Sequence, residues 1–326
     1  MQNIISNSTG NKIKWVNFVG CLMIIFLHST RYKYFDVSSL CAYFLDYFGL
    51  YLPEFGVPLF FAISGFLLFK DVSVSEKPIY VQYKEKMKSR FNSLLIPFFI
   101  YNVFWMMITI IEQAIPFINN HINSAIRFNY TVNDILQGIF LFKFNGVAWY
   151  IFFLMVYACF FFPFIAKIRK DMWGGILVIL CAVLSCIKYP NGWIIGYIMH
   201  YNSLFFFVLG SVIATHRFNW VNKEYNRREI GVAFIVMLVI TAIISFVPHE
   251  WEPVLMVLRT INVICVWICC DLFRNTAIPR FATITFFVYM LHGEVQKCIN
   301  KIFEIVLPRN GDIFALINTF GGMVLT

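Results

Sequence analysis

Hydrophobic residues run along this chain in long unbroken blocks. They do not alternate as in a half-buried strand, nor form the narrow stripe of a soluble helix. The blocks fall near 13–30, 52–69, 93–115, 147–166, 173–188, 197–215, 229–247, 253–271, 281–300 and 312–326. Several approach the roughly 20 residues a helix needs to cross about 30 Å of hydrocarbon. The pattern predicts an all-α fold: a polytopic transmembrane helix bundle of about ten spans, with 1–326 read as a single integral-membrane domain. The first dozen residues are polar, no small-residue cleavage site follows the first block, and more spans come after it, so that helix reads as a retained anchor. The last block, "IFALINTFGGMVLT", stops about 15 residues after Asp312 with no basic residue beyond it, and reads as truncated within its final helix.

Composition agrees: 60% of the residues are hydrophobic and 13% charged, which leaves too little polar surface for a soluble domain. The net charge of +9 invites a nucleic-acid partner until the charges are placed. With a cytoplasmic amino terminus, 17 of the 26 Lys and Arg fall in inner connections, eight in outer ones, and Arg259 inside a span. That is the positive-inside bias, which accounts for the basic balance without nucleic acid. The nine cysteines sit almost entirely in apolar blocks, and Cys265, Cys269 and Cys270 have no His or carboxylate at metal-ligand spacing, so they read as packing residues and no metal is expected.

Three stretches between blocks stand out. Residues 70–90 form a basic inner connection in which Lys84, Lys86, Lys88 and Arg90 crowd before the third span. The outer connection from Pro116 to about Gly146 contains "TVNDILQGIFLF", a candidate interfacial helix capped at Asn133–Asp134. The aromatic run "SLCAYFLDYFGLY" (39–51) suits a separate helix lying at, or re-entering from, the interface.

Ionisable groups inside spans are costly and therefore candidates for function: His28, Arg259, His292 and Glu294, with His200 and Glu112 nearer span ends. His28 lies 11 residues after Asn17, almost three full turns, so the two share one stripe about 16 Å apart along the axis. Thr285, Tyr289 and His292 form a second stripe, and Arg259 and Asn262 share a third face. The alternative for each group is that it meets only a neighbouring helix or interfacial water.

Five segments occur in order: "FVGCLMIIFLHS", "GVPLFFAISGFLLFK", "KSRFNSLLIPFFIYN", "VAWYIFFLMVYACFFFPFI" and "FFVYMLHG". Together they resemble the membrane-bound acyltransferase-3 family, and within it the bacterial branch that O-acetylates surface sugars. The resemblance implies an acyl-CoA donor, used as co-substrate and not as a tightly bound cofactor. It implies an acceptor hydroxyl on a polysaccharide or lipid-linked sugar, a membrane-lipid environment, and a place in the bacterial cytoplasmic (inner) membrane. It also implies that His28 is the catalytic base. A neutral imidazole can take a hydroxyl proton as that oxygen attacks a thioester.

The chain departs from the family pattern where a basic residue usually precedes the histidine by 11 positions, here Asn17. It departs again where a carboxylate precedes that position by three, here Lys14, and where a second Arg follows Arg90 by three, here Ser93. Asn17, or the buried cation Arg259, is the expected oxyanion helper. Arg90, Lys86 and Lys88 are expected to hold the donor's phosphates, with positive-inside anchoring an equal alternative for Arg90. Ser64 with Gly65 marks the floor of the acyl pocket or a close helix contact. Trp149 and Tyr150 are expected to line the acceptor passage or to serve as interfacial anchors, and His292, with Tyr289 on its stripe, to position the acceptor or neighbouring helices. A sugar or lipid transporter, or an inactive relative, fits the same helices.

Overall fold

The structure is a computed structural model and describes residues 5–30, 36–72, 74–116, 127–168, 170–187, 202–280, 284–306 and 311–326. His200 lies outside the described residues. Every regular element described is helical. Helices are the economical answer in a chain this apolar, because they satisfy each backbone N–H and C=O within the segment.

The helices are α1 (Asn7–Ser29), α2 (Ser39–Phe69), α3 (Ile79–Ala114), α4 (Val132–Phe140), α5 (Trp149–Ile165), α6 (Asp171–Ser185), α7 (Ser203–His216), α8 (Phe218–Asn222), α9 (Arg227–Phe246), α10 (Glu252–Cys269), α11 (Thr285–Val306) and α12 (Asp312–Leu325). Six are long and apolar enough to cross a membrane: α1, α2, α3, the segment Gly146–Ile165 containing α5, α9, and Glu252–Phe273 containing α10. α6, α7 and α12 are apolar but shorter. α11, at 22 residues, is long enough but too polar, carrying Glu294, Lys297, Lys301 and Glu304 besides His292. The chain forms two compact units, 1–75 with 168–326, and 76–167.

In the larger unit, α2 corrects the expectation of a separate interfacial helix at 39–51, because that stretch is the first part of one continuous helix of 31 residues. Pro53 should break it, since proline cannot donate to the carbonyl four residues back, Gly49. The helix widens to a π turn at Tyr47–Tyr51 instead, and the Thr30 hydroxyl lies 3.1 Å from the Gly49 oxygen, in reach to donate in place of the missing N–H. A Cβ at position 49 would strike Thr30, so glycine is required there. Farther along, α2 crosses α7 through Gly65 and Gly210. A Cβ on Gly65 would overlap the Phe207 carbonyl oxygen, and one on Gly210 the Ala62 carbonyl oxygen. Small residues permit this backbone contact.

The start of α1 is clasped to the end of α10. Lys12 is fully buried, pairs with Asp271 at 2.7 Å and lies 4.3 Å over the Trp267 ring. Arg274 completes the clasp, reaching Asp271, Ser8, Thr9 and the carbonyls of Asn222 and Lys223.

In the smaller unit, the basic stretch expected as a loop is helical from Ile79 onward, as the first turns of α3. A π turn at Phe91–Leu95 absorbs Pro97, whose ring would exclude the carbonyl four residues earlier. The interfacial helix forms as α4, but its cap is Thr131, whose hydroxyl accepts from the Asp134 N–H at 3.1 Å; Asn133–Asp134 lie inside it. The Lys143 hydrogen bond, with that of the Asn129 N–H, holds the Asp134 carboxyl below the usual carboxylate range. The buried Asn102 of α3 donates to the Ile139 carbonyl and closes the end of α4.

Candidate functional site

α1 and α11 run parallel in constant register. Cys21 donates to the Thr285 carbonyl at 3.6 Å, and seven residues later His28 meets His292, both pairs 264 positions apart. The imidazole centroids of His28 and His292 lie 5.1 Å apart with a 41° tilt. Their settings differ: His28 is exposed, whereas His292 is 1% exposed. The Tyr289 ring stands 5.6 Å from that of His292 and 6.3 Å from Phe60 of α2.

One turn beyond the pair, Gln296 donates to the Ile25 carbonyl (2.7 Å) and to the Ser29 hydroxyl (2.6 Å), pinning the end of α1 against α11. The polar stripe then continues. His292, Gln296 and Asn300 follow at four-residue spacing and all are buried. Asn300 and Ser29 both border Gly322 of α12, one turn after the buried Asn318 and Thr319. The side-chain polar atoms of Asn300, Asn318 and Thr319, and Nε2 of His292, have no hydrogen-bond partner among the described residues.

Of the residues singled out by sequence, the larger unit brings together His28, His292 and Tyr289. Asn17 is half-buried on α1, about 16 Å along the helix from His28, so the two cannot touch the same reacting atoms. Lys14 is exposed; the buried cation of this region is Lys12, committed to its clasp. Arg259 is indeed buried, at 4% exposed, but its donors are spent on Glu54 (3.1 Å to Nε), Glu252 (2.9 Å) and Asn202 (3.0 Å). Two carboxylates neutralise it, which corrects the expectation of an available oxyanion cation: Arg259 ties α10 to α2 and to the start of α7. Asn262, three residues on, serves Thr241 of α9. Ser64 lies beside the α2–α7 crossing, where Gly65 performs a packing role.

In the smaller unit, Lys86 and Arg90 are half-buried on one side of α3, and Lys88 is exposed. Arg90 lies within electrostatic reach of Tyr150 at the start of α5. Trp149 packs its ring 6.3 Å from Phe153.

The larger unit also holds an apolar cavity of about 400 Å³, lined by residues including Ile13, Ala62, Phe66, Gly210, Trp220 and Trp267. Ile13 precedes His28 by 15 residues, about 22 Å along α1, so that wall of the cavity lies well away from the histidine pair.

A family model described as an acyltransferase domain matches residues 11–326, nearly the whole chain. The chain belongs to the acyltransferase-3 family. Among curated proteins and among solved structures, none matches it. With its apolar helices, this acyltransferase-3 member is an integral membrane protein. The stripe running past His292 through Gln296 and Asn300 to Asn318 and Thr319 went unread in the sequence of this acyltransferase. Its signal was present, since Thr285, Tyr289, His292, Gln296 and Asn300 continue one helical period.

Proposed function

We propose that the protein is an O-acyltransferase that moves an acyl group, acetyl above all, from acyl-CoA to a hydroxyl of a surface polysaccharide or lipid-linked sugar. The observation that carries this reading is the pairing of His28, which follows the apolar run 18–27 of α1, with His292 of α11, in a member of an acyltransferase family. His28 is the exposed member, open to a substrate, and serves as general base. Its unprotonated nitrogen takes the proton of the acceptor hydroxyl as that oxygen bonds to the thioester carbonyl carbon. The tetrahedral intermediate then collapses, the carbon–sulfur bond breaks, and the imidazolium returns the proton to the departing thiolate. Acyl ester and free coenzyme A thiol result.

Within the larger unit, Asn17 and Ser64 would flank the acyl arm and Tyr289 would border the acceptor; within the smaller unit, Arg90, Lys86 and Lys88 would hold the donor's phosphates, and Trp149 and Tyr150 would be its acceptor-facing residues. The amino terminus would be cytoplasmic in a bacterial inner membrane, the arrangement favoured by the 17-to-8 charge bias. The reading is tested by mass analysis of surface glycans from cells with and without the protein. Loss of an acetyl increment is expected, and identical glycans would remove the O-acetyl assignment. A reporter active only outside should be silent when fused near Lys77 or Lys223 and active near His249; the reverse would place the donor site on the wrong face.

A further inference from the structure

The buried member of the histidine pair keeps one ring nitrogen uncommitted. His292 Nδ1 lies 2.5 Å from the Tyr289 carbonyl oxygen, one turn earlier on α11. A carbonyl only accepts, so the proton of the neutral ring sits on Nδ1 and Nε2 carries a lone pair. That Nε2 is buried, without a hydrogen-bond partner among the described residues. His28, from α1, brings its ring to 5.1 Å between centroids. Two imidazoles joined edge to edge by an N–H···N bond of about 2.9–3.0 Å have their centres about 5 Å apart. The separation therefore suits one direct hydrogen bond, made by a small turn of the exposed ring.

We propose that His292 is a positioning residue for His28: its Nε2 accepts the single N–H of neutral His28 and thereby fixes the tautomer of that ring. The other nitrogen of His28 then presents its lone pair on the exposed side, where an acceptor hydroxyl can reach it. After His28 takes the hydroxyl proton, one N–H of the imidazolium stays on His292 Nε2 and the other faces the leaving thiolate. His292 itself gains no proton. A carboxylate often does this work for a catalytic histidine, but here it would be an ion on a nearly sealed helix face. A neutral imidazole accepts the same hydrogen bond without that desolvation cost. The inference rests on His28 being the base.

The test combines a measurement that needs no substrate with one that does. Protein labelled with ¹⁵N-histidine is reconstituted in liposomes, and the His28 ring nitrogens are assigned by comparison with His28→Ala in solid-state NMR. A single neutral tautomer is expected for His28 in the wild type and in His292→Gln, whose amide oxygen still accepts, and a mixture in His292→Phe. Transfer is followed with radiolabelled acetyl-CoA and isolated surface polysaccharide as acceptor. His292→Phe should lower kcat by roughly 10²-fold with unchanged KM for acetyl-CoA, as loss of an orienting partner does. His292→Gln should recover most of the rate. In a His28→Ala background, His292→Phe should cost nothing further, because residues acting as a unit are not additive. Equal losses in the Gln and Phe variants, a further loss without His28, or an unchanged tautomer in His292→Phe would each overturn the proposal. Full activity of His28→Ala would instead remove the acyl-transfer reading, and the NMR result would still report on the hydrogen bond between the rings.

Discussion

Two buried polar clusters lie along α1, one at each end, and they are built on opposite terms. At the start, Lys12, Asp271 and Arg274 leave little unused: Lys12 is paired at 2.7 Å, and Arg274 engages Nε, Nη1 and Nη2 at once. At the far end, His292 Nε2, both polar atoms of Asn300 and of Asn318, and the Thr319 hydroxyl have no partner among the described residues. Burying polar groups is expensive in both places, and only the first cluster recovers the cost by internal pairing. A fully paired cluster is explained by the fold alone. An unpaired one, in a segment that apolar residues would stabilise better, needs a reason outside stability. Arg259 sorts with the first kind: it is as deeply buried as a functional cation would be, but Glu54 and Glu252 consume it.

The comparison breaks most visibly at His28. His28→Ala should lower acyl transfer by roughly 10²–10⁴, the usual worth of a general base. The folded protein should survive the change, since the side chain is exposed. Transfer rates per folded molecule, with thermal unfolding in detergent as the control, decide it. Loss of fold rather than of rate would move His28 into the structural class.

Asp271→Ala is the mirror experiment. It leaves Lys12 and Arg274 as two buried cations with no buried counter-charge among the described residues, since Glu224 reaches Arg274 only from the exposed surface at 3.6 Å. Removing one partner of a buried ion pair costs about 3–5 kcal/mol, so yield and unfolding temperature should fall sharply. Replacing Lys12 and Asp271 together with Met and Leu should recover the part of the loss due to Lys12, while Arg274 still lacks its buried carboxylate. If the double change is as damaging as the single one, the clasp holds more than structure.

The sequence revealed these two clusters unequally. Block lengths and charge bias made the helices legible, since burial in lipid imposes one secondary structure. His28 was legible because a lone imidazole on an apolar block is expensive. Its pairing with His292 was not, because register between helices 264 residues apart is set by tertiary contacts such as Cys21 to Thr285. The Arg259 role was misread for the same reason: Glu54, one of the carboxylates that silence it, sits 205 positions away. The continuous α2 was hidden by Pro53, an ordinary helix breaker that the π turn at Tyr47–Tyr51 accommodates.

Arg90 carries the comparison into the smaller unit. It is half-buried, and among the described residues no carboxylate forms an ion pair with it, so it sorts with the unspent groups. Arg90→Ala should weaken acetyl-CoA use by about 1.5–3 kcal/mol, read as a rise in apparent KM. Arg90→Lys should lose less, because charge survives although the paired donors do not. Unchanged KM in both variants would leave Arg90 as a topology anchor.

The smallest effect is also the most direct test of the contrast, because its sign is unusual for a buried position. Asn300 is 4% exposed with both side-chain polar atoms unpartnered, and it borders Gly322 beside Ser29. Leu keeps the branch at Cγ and has better helix propensity, although it is the bulkier side chain. Asn300→Leu removes an amide whose desolvation nothing offsets, so it should leave the unfolding temperature unchanged or raise stability by about 1 kcal/mol. The same kind of change at the clasp, Asp271→Leu, should do the opposite. Transfer is expected to fall in Asn300→Leu even as the protein becomes no less stable, since the stripe leads from α12 to the histidine pair. A clear loss of stability would mean that Asn300 is satisfied in the membrane after all, and the two ends of α1 would then be alike.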